Sequence, residues 1–296
     1  MELPYLAYFH LNEEPFSTSP NPRFLFVSTL HSTALQKTRY VVAARKGLAC
    51  VFGPTGTGKT TLARLLYQRF VEEDGFVGGL LTNPNYPTPY QLLRTITQEL
   101  RVPATHKSFK GMLDLLKRHL YQLAIEEGRV VALIIDEAQT LHFPLMEFLR
   151  QLLNYETNDQ KILQLVLFAQ DELRSKLARA PNLQNRVVMS STLENLTLDD
   201  TEAMLRFRWQ VAGGQEFPLS PDAIRSIYDY SQGVPRSQVI IADNALLAAT
   251  LQRRRTIDRE LIDNVVADRG LSDMVPAATD APRQSQRKVA AGGTPR

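Results

Sequence analysis

The residues Gly53-Pro54-Thr55-Gly56-Thr57-Gly58-Lys59-Thr60 fit the pattern G-x-x-x-x-G-K-[ST]. Glycines at 56 and 58 let the chain curl until successive N–H groups converge on phosphate oxygens. Lys59 then reaches the outer phosphates, Thr60 offers a hydroxyl to Mg2+, and Thr61 continues the helix that carries them. A second constellation is Val130-Val-Ala-Leu-Ile-Ile-Asp136-Glu137, an apolar run that ends in two carboxylates. Asp136 at its end can hold Mg2+ through the ion's water shell, and Glu137 can polarise a water that attacks a γ-phosphate. Binding alone needs only Asp136. The adjacent Glu137 therefore points to ATP hydrolysis, with ATP and Mg2+ as the implied ligands.

These groups need a scaffold, and the apolar patterning supplies one. Strand-length runs at 47–53, 76–81, 130–135, 162–168 and a weaker one at 186–193 alternate with helical stretches at 59–73, 89–100, 109–127 and 144–154. Runs apolar throughout, such as 130–135, suit strands covered on both faces. The alternation predicts an α/β fold: a parallel five-stranded sheet sandwiched by helices, with right-handed crossovers. After Leu196 only helical periodicity remains, at 200–211, 221–231, 236–253 and 259–269. The expected division is a nucleotide-binding domain with an N-terminal arm (1–196), a small all-α lid (197–270) and a disordered basic tail (271–296).

Composition excludes other classes. The chain has 296 residues, 44% hydrophobic and 22% charged, which is ordinary for a globular protein. Its longest uncharged segment, 75–93, is full of Asn, Thr and Pro, so no spanning helix is expected. The N-terminus lacks the basic-then-apolar layout of a secretory signal, so cytoplasmic residence is expected. Cys50 is the single cysteine, and the five histidines show no metal-ligand spacing. The net charge of +3 resides in the tail, where Arg283, Arg287, Lys288 and Arg296 face Asp280. A polyanion partner would thus need a local patch or the tail.

The phosphate loop, the Asp136-Glu137-Ala138-Gln139 run and the later helical region resemble the AAA+ ATPases. The opening segment, with Tyr8-Phe9, Pro15-Phe16 and Pro20-Asn21-Pro22-Arg23-Phe24-Leu25-Phe26, together with Gly233-Val-Pro-Arg236, resembles ExeA-type secretion ATPases and their MuB/TnsC-like relatives in DNA transposition. The resemblance implies that Gln170 is the first sensor at the end of the fourth strand and that Arg236 is the lid's sensor arginine. It also implies an arginine finger lent to a neighbouring subunit, with Arg186 the first choice and Arg179 the second. Such a contact is head to tail and builds a homo-oligomeric ring or helical filament. Phe24, Phe26 and Val27 can pack on the nucleotide base or can serve as core residues that tie the arm to the sheet.

Two functions follow from the resemblance. In the first, ATP drives assembly on duplex DNA, the assembly recruits or activates a transposase or target-selection protein, and hydrolysis dissolves it. In the second, an ExeA-like ATPase supports secretion or envelope assembly through protein partners, using a membrane helix and a cell-wall module. The sequence ends about two dozen residues past the lid, and on that ground the first function is expected. DNA contacts would go to phosphates with little sequence preference, and Lys107 and Lys110 are the candidates. The basic tail is a candidate tether to the recruited partner.

Overall fold

The computed structural model describes residues 3–103 and 108–268. Its core is one parallel sheet in the order β2-β3-β4-β1-β5, built from β1 (Leu48–Phe52), β2 (Phe76–Leu81), β3 (Val130–Ile135), β4 (Leu163–Ala169) and β5 (Val187–Thr192). The burial of each strand follows its place. Central β1 and β4 are buried along their whole length, whereas edge strand β5 alternates half-buried and exposed residues. That alternation explains its weak apolar signal.

Helices α2 (Thr29–Ala43) and α3 (Lys59–Glu72) cover one face, where Leu35, Val42, Leu62, Leu66 and Phe70 meet Val51, Ile134 and Phe168. The other face is covered by α4 (Pro89–Glu99), α5 (Phe109–Tyr121), α6 (Phe143–Leu152), α7 (Glu172–Ala178) and α8 (Pro181–Gln184). Each long helix starts where its side chains permit. Ser28, Thr88 and Ser108 accept the orphan N–H groups of α2, α4 and α5, and Pro144 sits in the first turn of α6. The helix expected over 109–127 is α-helical only to Tyr121 and continues as a π-helical turn, Gln122–Glu126.

The lid comprises α9 (Leu198–Val211), α10 (Pro221–Ser231), α11 (Pro235–Leu251) and α12 (Arg259–Asp268). Into its apolar cluster the N-terminal arm inserts α1 (Pro4–Phe9) and the residues after it. Tyr5, Phe9, Leu11, Phe16 and Phe24 pack with Met204, Leu205, Trp209, Ile241 and Leu246. Tyr5 Oη donates to Asp243 at 2.7 Å, and Asn12 N–H donates to the Ala212 carbonyl at 2.9 Å. Phe24 is therefore a core residue of the lid cluster, with Phe26 packed beside it.

A glycine closes the joint between lid and sheet domain. Gly233 has φ +75°, and a Cβ there would lie 2.2 Å from the Leu196 carbonyl oxygen. Its own carbonyl accepts the Leu196 N–H at 2.8 Å. Among the described residues no helix is long and apolar enough to cross a membrane. The basic tail and Lys107 lie outside the described residues.

Candidate nucleotide site

Between the strand ends and the lid lies a cavity of about 320 Å³, within the size range of small-ligand sites. Residues 55–61 form its floor. Gly56 and Gly58 have φ of 86° and 93°, the left-handed backbone that curls the loop and starts α3. Lys59 is 5% exposed, and its Nζ donates to the Gly53 and Pro54 carbonyls at 2.8 Å each. Burial lowers its pKa, while the carboxylates of Glu137 and Asp136 favour its charged form. The loop is closed by Thr57 Oγ1 donating to Pro54 O at 2.9 Å.

The loop is also held from α2, by a residue the sequence did not mark out. His31 is buried and its Nε2 lies 3.0 Å from Thr57 O, while Ser28 Oγ lies 2.7 Å from Nδ1. A carbonyl only accepts, so Nε2 carries the proton and Nδ1 accepts from the Ser28 hydroxyl. Burial lowers the His31 pKa and keeps this neutral form.

Asp136 follows β3 and is 2% exposed. Burial raises its pKa, and its neighbour Thr60 is the leading group favouring the charged form. Its Oδ1 is buried without a hydrogen-bond partner. A buried carboxylate oxygen left unsatisfied beside a hydroxyl is a donor set that suits Mg2+, which takes oxygen ligands. Glu137 lines the cavity with φ 53°, an uncommon backbone for a residue with a side chain.

Glu137, Gln139, Gln170 and Thr55 form one hydrogen-bonded chain. Gln139 Nε2 donates to Glu137 Oε2, Gln139 Oε1 accepts the Gln170 N–H at 3.1 Å, and Gln170 Oε1 accepts from Thr55 Oγ1 at 2.9 Å. Gln170, directly after β4, thus stands beside the phosphate loop.

From the lid, the Arg236 N–H donates to the Gly56 carbonyl at 3.3 Å, and the exposed Arg236 side chain lines the cavity. The far wall is the arm, residues 17–21 and 24–26, with Leu196, Met204, Arg208 and Val239. Val27 is exposed and does not line it. Arg208 was not singled out from the sequence. Its Nε, Nη1 and Nη2 donate to the carbonyls of Pro15, Phe24 and Ser17 at 2.8, 3.2 and 2.7 Å. Burial pushes its pKa down to about 10. No local sequence signal ties α9 to carbonyls nearly two hundred residues away.

The remaining candidates lie elsewhere. Arg186 is half-buried and donates to Asn154 Oδ1 at 2.9 Å; the Arg179 guanidinium sits 4.9 Å from the Phe143 ring centroid. Neither lines the cavity of its own chain. Lys110 is exposed in the first turn of α5.

A phosphate loop after β1 of a parallel sheet in this order, a carboxylate pair at the end of β3 with β4 between the two strands, and a helical lid over the cavity are the fold and site of an AAA+ ATPase. A family model described as an AAA domain matches residues 42–177. The sequence is also similar, at 36% identity over 249 residues, to General secretion pathway protein A of Aeromonas hydrophila. That match covers 83% of this chain and 45% of the relative, so the chain spans less than half the relative's length. Two solved structures share the fold. One is Cdc6p from Pyrobaculum aerophilum, with TM-score 0.67, 20% identity, and coverage of 86% of this chain and 70% of that one. The other is the Aeropyrum pernix ORC1 protein in complex with DNA, with TM-score 0.62, 19% identity, and coverage of 84% and 69%. At such identities the likeness is one of fold alone.

Proposed function

We propose that this ATPase drives a secretion-pathway assembly and acts through protein partners. The observation that carries this reading is the 36% identity to General secretion pathway protein A over most of this chain. It favours the second of the two functions expected from the sequence, and where the sequence stops carries no weight beside it.

In the proposed mechanism the triphosphate lies along residues 53–61, its anionic oxygens facing loop N–H groups and the N-terminus of α3. Lys59 turns from the Gly53 and Pro54 carbonyls to the outer phosphates, an exchange of one set of acceptors for another. Thr60 and Asp136 would hold Mg2+, which, when bound, neutralises phosphate charge. Glu137 takes the proton of the attacking water as its oxygen bonds to the γ-phosphorus and ADP leaves with the old bridging oxygen. Gln170 orients at the γ-phosphate, and Arg236 closes the lid over it. The neighbouring subunit supplies the finger, Arg186 before Arg179, across a head-to-tail contact.

The test is electron microscopy and ATP turnover, each with and without duplex DNA, the former with a non-hydrolysable ATP analogue. Nucleotide-dependent self-association and turnover that ignore DNA are expected. Assemblies threaded by DNA, with binding that weakens as salt rises and depends on Lys107 and Lys110, would instead support the transposition function.

A further inference from the structure

Glu137 is not held by the nucleotide loop. It is held by Gln139, and both ends of the Gln139 amide are committed. Because a backbone N–H can only donate, the Gln170 N–H at 3.1 Å fixes which end of the amide is oxygen. The NH2 end is thereby turned to Glu137 Oε2. A bond from an amide N–H to a carboxylate is charge-assisted and stronger than a neutral one.

The main chain around Gln139 is fixed as well. Lys176 Nζ, on α7, donates to the carbonyls of Gln139 and Leu141, the latter at 2.9 Å. Thr140 donates twice to the Glu137 carbonyl, from N and from Oγ1, at 2.9 Å each. Ala138 between them is fully buried. The turn that carries Glu137 in its left-handed conformation therefore cannot swing freely.

At the other end of the chain, Gln170 accepts from Thr55, a residue of the phosphate loop. Three loops that follow different strands are thus joined by side-chain amides and a hydroxyl. A hydrogen-bonded path thus runs from Thr55 in the phosphate loop through Gln170 and one amide to the Glu137 carboxylate.

We infer that Gln139 is a positioning residue for hydrolysis: its amide sets the placement of the Glu137 carboxylate and couples it, through Gln170 and Thr55, to occupancy of the phosphate loop. This rests on the reading of Glu137 as general base. Gln139 makes no contact with the nucleotide in this scheme, so it acts on turnover and not on affinity.

The experiment compares Gln139→Ala, Gln139→Glu and Glu137→Gln in the full chain, with ATP turnover, fluorescent-nucleotide affinity and thermal midpoint measured on each. Gln139→Glu keeps an acceptor for the Gln170 N–H but removes the donor to Glu137. Both Gln139 variants are expected to bind ATP as the parent does and to lose turnover by on the order of 10²-fold, the scale of a misplaced catalytic group. KM should hold while kcat falls. Thr55→Val should also lower kcat, and its effect combined with Gln139→Ala should be smaller than the product of the two, because both break one chain. Parental turnover in Gln139→Ala, or affinity and stability falling together with turnover, would overturn the inference and leave Glu137 untouched. Normal turnover in Glu137→Gln is a different failure, that of the general-base reading itself.

Discussion

At the scale of single residues, the site combines buried Lys59, His31 and Asp136 with more exposed groups such as Thr55 and Arg236. Lys59 donates to two loop carbonyls, so removing it would delete an internal clasp together with the proposed phosphate contact. Lys59→Ala is expected to reduce nucleotide affinity at least tenfold, read by titration with a fluorescent nucleotide; unaltered affinity would contradict the assignment. His31 gives a pH signature. Its folded pKa is lowered by burial, below about 6.5 for the unfolded chain. As pH falls through that value the unfolded chain takes up a proton that the folded one refuses, so His31 makes stability decline toward acid. Buried Asp136 and half-buried Glu14, with raised pKa values, act in the opposite sense. His31→Gln retains a donor for Thr57 O but cannot titrate. Relative to the parent, its thermal midpoint should therefore be shifted upward at the acid end of the range between about pH 5 and 7; equal slopes would mean that His31 contributes nothing to the pH dependence.

At the scale of elements, the lid touches the phosphate loop directly, and small residues make that possible. A Cβ on Gly56 would come within 2.8 Å of Val234, and Arg236 N–H reaches the Gly56 carbonyl. Gly233→Ala adds a Cβ where φ is +75° and the Leu196 carbonyl is 2.2 Å away. It should destabilise by about 1–3 kcal/mol, seen as a lower thermal midpoint. Arg208 carries the other joint. Arg208→Ala leaves the carbonyls of Pro15, Ser17 and Phe24 without their donor and should cost roughly 2 kcal/mol. The arm around residues 15–24 should then be cleaved faster by limited proteolysis. Much of the α/β scaffold was legible because its signals are local: an apolar run for β3 and a glycine-lysine loop between β1 and α3. The arm's place in the lid was not, since Tyr5 meets Asp243 across almost the whole chain. The π-helical turn at 122–126 escaped as well, because apolar periodicity does not register a change of hydrogen-bond step. Gln139 could be read as part of a motif, but its pairing with Glu137 and Gln170 depends on β3 and β4 lying side by side.

At the scale of the whole molecule, arm and lid share one apolar cluster, and the cavity lies between that body and the sheet. A nucleotide in that cavity would therefore touch both bodies, and in the proposed function this contact would carry a local event to a neighbouring subunit or partner. In the proposed mechanism the loop at 53–60 grips ATP and Glu137 then directs water at it. The most direct measurement is ATP binding and single-turnover hydrolysis by Glu137→Gln beside the parent chain. Binding should be retained while hydrolysis slows by on the order of 10²- to 10⁴-fold. Hydrolysis at the parental rate, or a parent chain that does not bind ATP, would contradict it.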